Sequence, residues 1–168
     1  VTADSNSDGF VLSHPEWNYI SKKEIINRLA VLLGGFVAES VVFGEENVTI
    51  GSSSDLRMAT KLATEVIYNC GMGDSRACFG NEHTDNTPSF ILDNYNDGVN
   101  QQAEALLTEA EKLAKRTLEE ERVLLIKMAD YLSDCRSMNK EEVRSYVEEY
   151  GVSRGVYDIV EDGENLFY

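Results

Sequence analysis

No glycine or proline interrupts the chain between Asn100 and Ser133, and apolar residues recur through that stretch at helical spacing. Ala103, Leu106, Leu107, Ala110, Leu113, Ala114 and Thr117 share one face. Val123, Leu124, Ile126, Met128, Ala129 and Leu132 continue it beyond Leu118-Glu119-Glu120-Glu121. Steps of three and four residues return side chains to one side of an α-helix, whereas a strand needs steps of two. One long helix, or two nearly collinear ones, is therefore expected. The fold class that follows is mainly α, with at most a few short strands. Glu109, Glu111, Lys112, Lys115, Arg116 and Glu119 form an ordinary solvated outer face, and the run Glu119-Glu120-Glu121 reads as part of it.

The stretch 21–71 supplies the expected centre of the core. Ser21-Lys22-Lys23-Glu24 has the form of a capping box. Ile25, Leu29, Leu32, Leu33, Phe36 and Val37 follow at helical period, with Lys23, Asn27 and Arg28 on the opposite side. Gly34-Gly35 falls inside this pattern, at about 1 kcal/mol per glycine against alanine. Two in a row suggest close approach of another backbone, or a bend. The helix should stop near Phe43-Gly44. A connector over 45–51 follows, with Val48-Thr49-Ile50 a candidate extended segment. Ser52-Ser53-Ser54-Asp55 can open a second helix, whose buried stripe would be Leu56, Ala59, Leu62, Ala63, Val66 and Ile67. Gly71 suits the residue that ends it.

Elsewhere the pattern is weaker. In 1–20, Gly9-Phe10-Val11-Leu12 and Trp17-Asn18-Tyr19-Ile20 are the segments able to pair as short strands. Residues 72–96 hold many Gly, Asn and Asp, which predicts a loop with at most a short strand at Ser89-Phe90-Ile91-Leu92. Asn139-Lys140-Glu141-Glu142 caps a last short helix, with Val143, Tyr146 and Val147 inward, ending at Tyr150-Gly151. Residues 152–168 lack a sustained period and read as a tail, with Val156-Tyr157-Asp158-Ile159-Val160 a candidate edge strand. The expected organisation is one domain over 1–151 and a mobile tail over 152–168.

Composition narrows the partners. A hydrophobic content of 42% over 168 residues supports a real core. A net charge of −15 opposes phosphate backbones and anionic lipid, so no nucleic acid partner is expected. No apolar run approaches the roughly 20 residues of a membrane span, so no direct span is expected either. Val1-Thr2-Ala3-Asp4-Ser5-Asn6 lacks the basic flank and apolar core of a signal peptide. It also lacks an initiator Met, as a piece trimmed from a longer chain would. Cys70, Cys78 and Cys135 form neither a disulfide framework nor a CxxC site, and reduced thiols in an intracellular protein are expected.

The inventory for chemistry is short. His14 and His83 both sit in polar segments and read as exposed loop residues. No His-Glu-x-x-His, GxSxG, P-loop or GxGxxG occurs. Cys78 and His83 are near in sequence, but nothing around them suggests a pocket for a Cys-His nucleophile. Asp55 has two readings. It is a first-turn aspartate favoured by the helix dipole, worth ~0.3–1 kcal/mol, or a carboxylate metal ligand steadied by backbone amides. Spacing leaves both open.

The residues around Asp55 carry a resemblance. Leu29-Ala30-Val31-Leu32-Leu33-Gly34-Gly35-Phe36-Val37-Ala38-Glu39 and Val42-Phe43-Gly44-Glu45 are similar to one ordered pattern. Thr49-Ile50-Gly51-Ser52-Ser53-Ser54-Asp55-Leu56, Ala59-Thr60, Ala63 and Gly71-Met72 continue it. Together they resemble the peptidase domain of the FtsH family, membrane-anchored ATP-dependent zinc proteases of peptidase family M41, with its GG-x-x-AE, Phe-Gly, TxGxxxD and Gly-Met. The run from Ala103 to Leu132 and Met138 to Glu142 resembles the family's C-terminal helices more loosely, and about two thirds of the chain is covered in all.

That resemblance implies a helical domain and metal-assisted peptide hydrolysis in the intact protein. The family holds zinc on two histidines of a His-Glu-x-x-His helix and on the aspartate of TxGxxxD, with the motif's Glu as general base. Carried over by motif, the aspartate is Asp55, and the histidine helix would lie N-terminal to Val1. Zinc is therefore expected in the intact family domain and not in this chain alone, which would not be catalytically competent by itself. The implied substrates are unfolded or membrane proteins, delivered by an AAA ATPase module in a hexameric, membrane-anchored intracellular complex. Gly73-Asp74-Ser75-Arg76-Ala77-Cys78 departs from the family, which usually has Leu-Gly soon after Gly-Met. The departure keeps an alternative in view: an inactive paralogue serving as an assembly or protein-interaction domain.

Overall fold

A computed structural model of the chain describes residues 2–4, 7–10, 21–74 and 89–153, with backbone alone for 2–4, 7–10 and 89–96. The elements are strands β1 (Thr2–Asp4) and β2 (Ser7–Phe10) and helices α1 (Lys22–Phe43), α2 (Ser53–Cys70), α3 (Ser89–Glu120), α4 (Arg122–Cys135) and α5 (Lys140–Tyr150). The fold is mainly α, as expected. The chain divides into two compact units, one over Ile20–Arg116 and one formed by Val1–Tyr19 with Thr117–Tyr168.

In the unit over Ile20–Arg116, α1 opens with the capping box its sequence predicts. The Ser21 side chain accepts from the Glu24 amide at 3.3 Å, and Glu24 Oε2 accepts from the Ser21 amide at 2.6 Å. The Ser21 hydroxyl and then its amide hold the Glu24 carboxyl below its ordinary range, with help from Arg28. Ile25, Leu29, Leu33 and Val37 are buried, while Leu32 and Phe36 at the stripe's edge are half-buried. α1 packs on α2, whose Ala59, Ala63, Val66 and Ile67 are buried in turn. The small alanines let the two helices approach while α1 contributes the larger side chains. Gly71 ends α2 at φ 59°, the left-handed conformation that suits glycine.

Of three expectations for this unit, the first and third are corrected. The first concerns Gly34 and Gly35: among the described residues nothing lies within 4 Å of a Cβ built at either, so no backbone packs on them here. The second concerns the apolar length of α1, which by length and composition is apolar enough to cross a membrane. Its scattered polar residues interrupt the apolar run without making the helix polar. A core helix, as α1 is here through Ile25, Leu29, Leu33 and Val37, can have the same composition, so the expectation of no span is not overturned. The third is Ser89-Phe90-Ile91-Leu92, which opens α3 instead of forming a strand. Asn and Asp lower helix propensity by only a few tenths of a kcal/mol each, and the helix runs through Asp93, Asn94, Asn96 and Gly98. Val99, Ala103, Leu106, Ala110 and Ala114 are its buried residues in this unit. Gln102 of α3 accepts from the Asp74 amide at 2.7 Å, fixing the turn after α2.

In the other unit, β1 and β2 pair antiparallel, with Thr2 opposite Phe10, Asp4 opposite Ser7 and a bulge between. The partner of the Gly9-Phe10 segment is thus Thr2–Asp4, closer in sequence than the one expected. Residues 17–20 lie outside the described residues, as do His14, Cys78, His83 and 156–160. The long helical stretch divides at Glu121, between α3 and α4. Two expectations fail at that division. Val123, Ile126, Ala129 and, before the division, Thr117 are exposed, leaving Leu124 as the buried residue of α4. Glu119 and Glu120 are solvated, but Glu121 is only 5% exposed.

α4 and α5 pack together. Asn139 and Glu142 form the capping box expected of α5, with Glu142 N–H donating to Asn139 Oδ1 at 2.9 Å and Asn139 N–H to Glu142 Oε2 at 2.7 Å. The Tyr131 hydroxyl donates to Glu142 Oε1 at 2.7 Å, joining the two helices. Tyr131 and Tyr146 meet edge to face at 5.5 Å. Arg136 ends α4 at φ 62°, a left-handed position taken by a residue with a side chain.

Candidate functional site

The segment between α1 and α2 positions Asp55, and it is built from backbone groups that need partners. α1 ends when Gly44 takes φ 90°, a conformation closed to most side chains. The Asn47 side-chain amide then donates to the Phe43 carbonyl at 2.7 Å, satisfying a helix-end acceptor, and the Asn47 N–H donates to the Gly44 carbonyl. Two short 3-10 turns, Glu45–Asn47 and Ile50–Ser52, carry the chain into α2. Val48 and Thr49 between them are extended, whereas Ile50 belongs to the second turn.

Glu39 organises this approach. Its Oε2 accepts from the Thr49 N–H at 2.6 Å, and its Oε1 accepts from the Thr49 hydroxyl at 3.2 Å. Thr49 Oγ1 in turn accepts from the Gly51 N–H at 3.2 Å. A carboxylate ten residues back along α1 thus fixes the residue that caps the turn leading to Asp55. These bonds are charge-assisted, the stronger kind. A Cβ at Gly51 would stand 3.2 Å from Thr49 Oγ1 and 3.9 Å from Glu39 Oε1, so the turn passes its own clamp closely there. The Lys115 ammonium pairs with Glu45 at 3.6 Å, an exposed contact of small energy.

Asp55 lies in the first turn of α2 and is half-buried. The expected serine cap is absent in form: Ser52 is the N-cap residue, but its backbone at φ −82°, ψ 7° is not extended and its side chain makes no capping bond. Its hydroxyl is buried without a partner among the described residues. The cap has moved one turn earlier, to Thr49. Asp55 therefore supplies the negative charge at the helix N-terminus, where the dipole favours it. Among the described residues no group of three or more His, Cys, Asp or Glu side chains is placed to hold a metal ion.

Glu39 is the residue holding this turn that spacing did not reveal, since it reads as one charge on an apolar helix. Its signal was the pairing of a carboxylate near the end of α1 with a Thr-x-Gly turn just beyond. Asp55 stands where the sequence expectation put it, at the start of the second helix.

Comparison with known proteins identifies the family of the chain. The family model described as Peptidase family M41 matches residues 1–147. The chain is 37% identical over 131 residues to the ATP-dependent zinc metalloprotease FTSH 9, chloroplastic/mitochondrial, of Oryza sativa subsp. japonica, covering 78% of this chain and 16% of that protein. It is 31% identical to FTSH 11, chloroplastic/mitochondrial, of Arabidopsis thaliana, covering 74% of this chain and 15% of the relative. It is 29% identical to the ATP-dependent zinc metalloprotease FtsH of Caulobacter vibrioides, covering 79% and 21%. The chain spans between about a seventh and a fifth of the length of these relatives, and the family match includes α1, the turn and α2. The chain belongs to peptidase family M41.

Proposed function

We propose that this chain is the C-terminal part of an ATP-dependent zinc metalloendopeptidase domain, and that Asp55 is the ligand it contributes to the zinc. The observation that carries the reading is the Glu39–Thr49–Gly51 clamp, which fixes the turn before a half-buried aspartate at a helix N-terminus. The relatives named above are zinc metalloproteases by name, which supports zinc in the complete domain. The described residues of this chain do not fit zinc by themselves, since they hold no group of three donors, and a catalytic zinc takes three protein ligands. The other two would come from a His-Glu-x-x-His helix in the parent protein.

On this reading residues 1–151 carry the family domain and 152–168 a tail. Substrates are unfolded or membrane proteins handed over by an AAA ATPase module, and the assembly is a membrane-anchored hexamer. Ile50 and Met58 on either side of Asp55 are 91% and 59% exposed, leaving apolar surface near the proposed ligand. Assay of casein hydrolysis by the parent protein tests the proposal. Asp55→Asn should abolish hydrolysis while the ATPase rate is retained, and full proteolytic activity in that variant would refute it.

The departure at Gly73-Asp74-Ser75-Arg76-Ala77-Cys78 favours a second reading, an inactive family member used for assembly or protein interaction. A parent protein that lacks His-Glu-x-x-His and assembles without hydrolysing casein would support it.

A further inference from the structure

Glu121 is buried although Glu119 and Glu120 beside it are exposed. The helical ladder does not require this. Glu121 N–H donates to the Thr117 carbonyl at 2.9 Å and its carbonyl accepts from Leu125 N–H at 2.9 Å, so the backbone passes from α3 to α4 with its bonds kept. The side chain is engaged by the other end of the unit. Oε2 accepts from the Val152 N–H at 2.9 Å, and Oε1 accepts from the Ser153 N–H at 2.6 Å. Oε1 also lies 3.3 Å from the Val152 nitrogen. Two successive amides converging on one carboxylate make a small anion-binding nest.

Val152 and Ser153 follow the end of α5, where the Gly151 N–H still donates to the Val147 carbonyl at 2.8 Å. The Val152 side chain is 72% exposed, so burial of its own apolar surface does not hold this segment. Charge-assisted bonds to the Glu121 carboxylate engage both amides of the segment instead. If they break, both amides can turn to water at little cost, which makes the contact releasable. We propose that Glu121 is a latch: its carboxylate straps the chain leaving α5 to the α3–α4 junction, and its loss frees that exit without undoing α4 or α5.

Residue-resolved amide hydrogen exchange on the full chain tests this with Glu121→Gln, which keeps the size and one neutral acceptor. Exchange at Val152 and Ser153 should accelerate about tenfold or more, with protection in α4 and α5 retained. A second variant removes a donor instead: Val152→Pro, which follows a Gly151 already extended at ψ 143°. It should accelerate exchange at Ser153 in the same way. Unchanged exchange at both amides would overturn the latch. So would loss of protection throughout α4 and α5 in Glu121→Gln, because Glu121 would then hold the helices and not a strap.

Discussion

Glu39 and Asp55 are both acidic, and their surroundings give them different work. Glu39 satisfies a backbone amide and a hydroxyl in the turn, whereas Asp55 stands at a helix start, half-buried. Removing the Glu39 acceptor leaves the exposed Thr49 amide to water, so Glu39→Ala should destabilise the chain by about 0.5–1.5 kcal/mol in urea denaturation. Thr49→Val keeps the amide bond and should cost less. Equal stability of Glu39→Ala and the parent chain would show that the clamp carries no weight. Arg136 at φ 62° invites the opposite change: Arg136→Gly should raise stability by about 0.5–1 kcal/mol, read as a shift in the urea midpoint. Glu142 offers a pH prediction. The Asn139 amide first, and then the Tyr131 hydroxyl, hold its carboxyl below the ordinary 4.5, against a smaller opposing effect of burial. A lowered folded-state value means that the ionised form favours the fold. That contribution is complete above 4.5 and lost as pH falls through the lowered value. The stability gap between wild type and Glu142→Gln should therefore close in acid. The reciprocal effect, a Tyr131 hydroxyl held above the ordinary phenol range first by its hydrogen bond to Glu142 and then by burial and Cys135, should shrink in the same variant.

The elements show which sequence signals are self-sufficient. Capping boxes were legible at Ser21 and Asn139 because both partners lie within one turn. The same holds for Gly71, whose left-handed backbone is a local demand. Reading failed where the answer depended on something distant. The start of α3 was hidden by Asn, Asp and Gly, whose small propensity costs are outweighed once the helix can bury Val99, Ala103 and Leu106. The burial of Glu121 was missed for a similar reason, since the carboxylate of that residue answers to Val152 and Ser153, some thirty positions on. Gly34 and Gly35 carry an element-scale prediction. With nothing among the described residues within 4 Å of either built Cβ, Gly34→Ala and Gly35→Ala should each stabilise the isolated chain by about 1 kcal/mol in urea denaturation. A loss of stability from either would mean that the helix needs glycine for a reason internal to this chain.

At the scale of the whole molecule, α1 and α2 form a scaffold whose connecting turn is clamped and whose most suggestive residue is a carboxylate that belongs to no three-donor metal group among the described residues. Spacing located Asp55 but could not separate a capping aspartate from a metal ligand, because both need the same residue at the same place. The ordered family pattern around it made the second reading worth testing, and the match over residues 1–147 makes the comparison legitimate. The direct test is zinc content, measured by atomic emission on the complete peptidase domain of the parent protein. We predict one zinc per chain in the wild type and loss of that zinc in Asp55→Ala, while circular dichroism shows the helices intact. One zinc per chain retained in Asp55→Ala would contradict the assignment of Asp55 as its ligand.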